Sequence, residues 1–237
     1  MDKLKNKLAD IFTYPARYYQ SLSDKKATLF AGIIMVGAID LFIPDIAAVF
    51  EILFSGKSAD DIRFNALMTV FVILVLGIID VVFLSVPLFD IFKFLKKKEM
   101  AMGQHSGNDA YYSLPSSFPT GQDIWERWDK RPSLVKVMKI YIISHFIIIP
   151  VSTFIYFAFE RNITETSPAW MQNLYALIFA LTYVWFAAII TRGINVIFRF
   201  NPLFKRLTYL IVLIWIFIFS TVFSMQIMKW MLMLFRR

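Results

Sequence analysis

Cysteine is absent from the chain, and histidine occurs only twice in 237 residues. Disulfides, thiolate metal sites and cysteine nucleophiles are thereby excluded. Glycine is scarce, with eight residues, and no His-Glu-x-x-His, Gly-x-Ser-x-Gly or phosphate-binding glycine loop occurs. Nothing in these patterns points to an enzyme, a cofactor or a bound metal. The apolar segments contain no Gly-x-x-x-Gly pair, so a helix-dimer seam of that kind is not indicated. Charge is also thin, at 18% of residues, with a formal balance of +8. No basic domain stands apart from the apolar segments, so this excess does not indicate nucleic-acid binding.

What fills the chain instead is apolar side chain. Hydrophobic residues make up 58%, including 25 Phe. They gather into five runs at about 28–50, 66–92, 138–159, 173–198 and 207–228. Each exceeds the roughly 20 residues needed to cross a hydrocarbon core of about 30 Å. The expected fold is an all-α integral membrane protein. It comprises a bundle of five transmembrane helices over residues 28–237, preceded by a cytoplasmic amphipathic helix within a basic tail, residues 1–27.

Lysine and arginine are distributed unevenly between the runs. Nineteen lie in the N-terminal tail, the second loop and the fourth loop region, and six lie in the first loop, the third loop and the C-terminus. This bias places the N-terminus in the cytoplasm and the C-terminus outside, which requires an odd number of spans. The first run begins late and lacks a small-residue cleavage site, so it is not read as a signal peptide.

The tail carries Leu4, Leu8, Ile11 and Phe12 at helical spacing, with Lys3, Lys5 and Lys7 on the other side. This pattern suits a helix lying on an anionic cytoplasmic leaflet, or one that docks a partner. The second loop, 93–137, is read as flexible in its first half, where Gly103, Gly107, Pro115 and Pro119 lie among polar residues. Its second half carries Trp125 and Trp128 at i, i+3, read as a short interfacial helix over 123–131, with a partner site as the alternative. Pro44, Pro87 and Pro150 are expected to kink three spans.

Ionisable residues inside spans are functional candidates by default. They are Asp40, Asp80, His145 and Arg192. At about 1.5 Å per residue, Asp80 and His145 both lie roughly 20 Å below the outer surface, and Asp40 roughly 12–15 Å below it. Asp80 with His145 is therefore the expected pair, serving as a proton relay or as a structural hydrogen bond. Gly37-Ala38-Ile39-Asp40 and Gly77-Ile78-Ile79-Asp80 look alike, but an aspartyl-protease dyad needs two carboxylates about 3 Å apart. The depths keep the aspartates separate, and the repeat reads as coincidence.

The amphipathic lead-in Ile11–Leu22 with Asp24-Lys25-Lys26 resembles the start of bacterial members of the Yip-domain family. Leu134–Tyr141 followed by Pro150, Ile190-Thr191-Arg192-Gly193-Ile194, and the segment from Leu207 are similar to its later spans. The second loop is longer than in that family, and Asp40-Leu41-Phe42-Ile43-Pro44 matches its Asp-Leu-x-Gly-Pro motif only in part. The resemblance implies five spans, a cytoplasmic N-terminus and a non-enzymatic accessory or scaffold protein working through a membrane-protein partner. Export, stress response and trafficking are the settings it implies. The alternative is a small transporter or channel subunit with a polar path through Asp40, Asp80 and His145. The Cys-free composition and the charge bias suit a bacterial plasma membrane.

Overall fold

A computed structural model describes residues 19, 22–42, 59–105, 132–159, 163 and 167–222. Five α-helices lie among them: α1 Lys26–Phe42, α2 Ala59–His105, α3 Leu134–Ala158, α4 Ala169–Phe198 and α5 Pro202–Val222. No strand occurs among the described residues. Four helical segments, Ile62–Met102 within α2, all of α3, all of α4 and Pro202–Phe219 within α5, are long and apolar enough to cross a membrane. The outward faces support the same reading. Phe30, Phe71, Phe83, Phe154, Leu177 and Phe217 are all more than half exposed. A surface this apolar fits lipid surroundings far better than water. The fold therefore fits a helical integral membrane protein.

Helix α1 packs against α2 and α3, α3 packs against α4, and α4 and α5 form a hairpin whose second helix returns to α2. On α2 the buried stripe runs through Val72, Leu76, Val81, Leu84, Leu88, Phe92 and Leu95, three to five residues apart. On α5 it runs through Phe204, Thr208, Val212 and Ile216 at strict four-residue spacing. Ile140 of α3 and Ile189, Ile190 and Ile194 of α4 complete the centre.

The longest element departs from the sequence reading. Helix α2 has 47 residues and continues from its apolar run through Lys93 to His105, where the sequence suggested the beginning of a flexible loop. At 1.5 Å per residue its length is about 70 Å, more than twice the hydrocarbon thickness. Lysine, glutamate, methionine and alanine are good helix formers, so the loss of hydrophobicity at Lys93 gives the helix no reason to stop. Its buried stripe also continues past the apolar run to Leu95. Phe92 meets Phe198 and Phe200 with ring centroids 6.0 and 6.2 Å apart. Pro87 and Pro150 sit inside α2 and α3, each of which continues as one helix on both sides of its proline.

Pro44, the amphipathic tail with Lys3, Lys5 and Lys7, and the segment bearing Trp125 and Trp128 lie outside the described residues. So do the far ends of the first and fifth apolar runs.

Candidate functional site

The site begins with two glycines. A methyl group added to Gly37 of α1 would fall 1.9 Å from the Ile73 carbonyl oxygen, and one added to Gly77 of α2 would fall 2.0 Å from that of Ile33. Only glycine permits backbones to approach this closely. Gly37 faces Ile73 and Gly77, while Gly77 faces Ile33 and Gly37, so the two helices run antiparallel through the crossing. Asp40 and Asp80 each stand three residues beyond the glycine of their own helix. The repeated Gly-x-x-Asp, read from sequence as coincidence, is thus the contact between α1 and α2.

Helix side chains tilt toward their own N-terminus. On antiparallel helices the Asp40 and Asp80 side chains therefore lean toward one another, closing the gap that depth counted along the axes had put between them. One ligand atom from each of Asp40, Asp80 and His145 lies within 4.8 Å of the others. The pairing differs from the expected one. His145 Nε2 lies 3.3 Å from Asp40 Oδ1, while Asp80 Oδ2 accepts a 2.5 Å hydrogen bond from the Tyr141 hydroxyl. Tyr141 and His145 are four residues apart on one face of α3, with ring centroids 5.8 Å apart. Phe186 of α4 packs tilted or edge-on against both rings, at 5.9 and 6.3 Å.

Access to the cluster is uneven. Asp80 and Tyr141 are only 4% and 3% exposed, whereas the Asp40 and His145 side chains each retain 16%. Asp40 Oδ2 and His145 Nδ1 are buried atoms without a hydrogen-bond partner. Such atoms are costly in a low-dielectric interior. Two carboxylates, an imidazole and a phenol held together can take up and release a proton, or donate several atoms to a cation.

Arg192 does not join this cluster. It is exposed on α4, and its charge acts on Tyr19. The Tyr19 hydroxyl lies 3.1 Å from Ser144 Oγ, which in turn donates to the Ile140 carbonyl at 2.7 Å. Burial pushes the Tyr19 phenol up to about 12, partly offset by the Ser144 hydrogen bond and the Arg192 charge.

Two polar junctions hold the Lys-rich end. Ser133 caps α3 by accepting from the Lys136 backbone N–H and donates to the Asp24 carboxylate. Lys136 lies 3.3 Å from the same carboxylate, and Lys139 Nζ donates to the Ser23 carbonyl at 2.6 Å. The Ser133 hydrogen bond, reinforced by Lys136, holds Asp24 below the usual carboxylate range. In the second junction Glu99, on the extension of α2, accepts from Lys96 at 2.7 Å and from the Asn201 backbone N–H at 2.6 Å. Lys96 also donates to the carbonyl of Arg199, a left-handed residue (φ 50°) between α4 and α5. Asn201 in turn accepts from the Phe204 N–H at 3.1 Å and so caps α5. In the sequence Lys96 is simply one of the nineteen lysines and arginines that set the charge bias.

Tyr141 and Glu99 escaped the sequence reading. Tyrosine is not counted among costly intramembrane ions, though its i, i+4 relation to His145 was a usable signal. Glu99 is a single acid beside three lysines, and only the fold brings the Arg199–Asn201 turn to it. Comparison of the chain with known families, curated proteins and solved structures returns no match in any of the three.

Proposed function

We propose that this is a five-span membrane protein in which Asp40, Asp80, His145 and Tyr141 take up and release a cation within the membrane, as in a small transporter or channel subunit. The observation that carries the reading is the convergence of three ionisable side chains from three helices, with one edge still accessible. Intramembrane ionisable groups are costly and commonly mark ion pathways. The reading keeps the charge-derived topology, with the N-terminus in the cytoplasm of a bacterial plasma membrane and the C-terminus outside.

The test is cation flux into proteoliposomes under imposed proton and divalent-metal gradients. Asp80→Asn keeps an acceptor oxygen for the Tyr141 hydroxyl, so thermal stability should hold while flux falls at least tenfold. Unchanged flux in Asp80→Asn and Asp40→Asn would refute the reading.

A second reading, the accessory protein implied by the Yip-type resemblance, is favoured by one feature. A groove of about 380 Å³ at the Lys-rich end is lined by Phe94, Met100, Pro132 and Phe198 together with Asp90, Lys93, Lys96 and Lys97. Mild-detergent pull-down of the full chain against a variant lacking residues 1–20 tests it. Co-purification of no membrane component in either case counts against it.

A further inference from the structure

We propose that Asp40, Asp80 and His145 form a binding site for a divalent first-row transition cation, with Tyr141 as the group that orients Asp80. This rests on the cation-handling reading above and names the class of cation.

Charge is the first argument. Two carboxylates lie beside a single imidazole in the low-dielectric interior of the bundle. Buried charges are normally paired or bound to metal. One imidazolium can compensate only one carboxylate. A divalent cation neutralises both and leaves the imidazole neutral, the form in which it ligates. Lys139, the buried cation nearest in sequence on α3, is committed elsewhere through its bond to the Ser23 carbonyl.

Unused bonding capacity is the second argument. Asp40 Oδ2 and His145 Nδ1 have no hydrogen-bond partner although both are buried. The ion pair between His145 Nε2 and Asp40 Oδ1 leaves Asp40 Oδ2 idle, and a metal ion held by this carboxylate can engage that second oxygen.

Geometry is the third. The three candidate ligand atoms lie within 4.8 Å of one another. Ligand bonds of about 2.0–2.2 Å in a tetrahedral set require separations of roughly 3.4 Å. His145 Nε2 and Asp40 Oδ1 are already 3.3 Å apart. The remaining closure, on the order of 1 Å, is within reach of side-chain rotation about Asp80 or Asp40. Three protein ligands also leave a coordination position open on the side where Asp40 and His145 remain accessible, as an ion in transit or a bound water requires. The Tyr141 hydroxyl on Asp80 Oδ2 is the kind of outer contact that holds a ligating carboxylate in place.

The donor set selects the cation class. One nitrogen and two carboxylate oxygens suit Zn²⁺, Mn²⁺, Fe²⁺ or Co²⁺, while no thiolate is available to favour Cu⁺.

The test uses the full chain purified in mild detergent and stripped with a chelator. Titration with Co²⁺ should produce a visible d–d band that saturates at one ion per chain, and Zn²⁺ should displace it. Either ion should raise the thermal midpoint, and chelator should reverse the rise. Tyr141→Phe should weaken Co²⁺ binding by roughly 10–100-fold, and His145→Gln or Asp40→Asn by more. Failure of the wild-type chain to show the band or the thermal shift would overturn the metal assignment, as would unaltered binding in His145→Gln. If metal binding fails while proton flux still depends on Asp80, the metal assignment falls and the cation-handling reading stands. If both fail, both fall.

Discussion

At the scale of single residues, Gly37 and Gly77 matter as much as the charged groups they bring together. A β-carbon on either would meet a backbone carbonyl that cannot rotate away. A β-carbon on Gly193 would instead meet side-chain atoms of Ile140, the nearest at 2.6 Å. Gly37→Ala and Gly77→Ala are therefore expected to destabilise by about 1–3 kcal/mol, and Gly193→Ala by less. Thermal unfolding in detergent checks the order. This part of the site was written in the sequence as a repeated Gly-x-x-Asp. Depth along the helix axes separates the two aspartates, because axis depth ignores the tilt of side chains toward each helix N-terminus. His145 and both aspartates were legible because hydrophobic surroundings make any ionisable residue conspicuous. Which of them pair was not legible, since pairing depends on crossing geometry that one-dimensional depth does not contain.

Helices behave differently from residues, and here hydropathy reported where apolar surface ends rather than where a helix ends. Helix α2 carries its buried stripe beyond Lys93 and then serves as a strut: Lys96 and Glu99 hold the turn between α4 and α5. Asn201→Ala removes a helix cap and should cost about 1 kcal/mol. Glu99→Ala should destabilise the same hairpin, and hydrogen exchange of the first turn of α5 should rise in both variants. The junction at the start of α3 has a pH signature. Asp24 is held below the usual carboxylate range in the folded protein. Its contribution is therefore fully present above that range and disappears as pH falls through and below it. The thermal midpoint of the wild-type chain should fall in that acid window, and Asp24→Asn should flatten this part of the profile while lowering stability at neutral pH. Because the Asp24 side chain is more than half exposed, the effect should be modest.

For the whole molecule, the absence of cysteine becomes an experimental advantage. Single cysteines can be introduced without background labelling. The charge bias predicts that Lys97→Cys is modified by a membrane-impermeant maleimide only from the cytoplasmic side, and Ala169→Cys only from outside. Labelling of both positions from the same side would contradict a parallel arrangement of α2 and α4 across the membrane, in which the C-terminal end of α2 and the N-terminal end of α4 lie on opposite faces. The apolar perimeter and the membrane-crossing length of four of the helices were readable from composition and run length. The arrangement of helices around one polar cluster was not, because the contacts that make it join residues as distant as Asp40 and His145.

The central claim is that this cluster takes up and releases a cation inside the membrane. Its most direct test is the initial rate of cation entry into proteoliposomes containing equal amounts of wild-type and Asp40→Asn chain. The account predicts at least a tenfold lower rate for Asp40→Asn, with orientation and folding unchanged. Equal rates in the two preparations would contradict it.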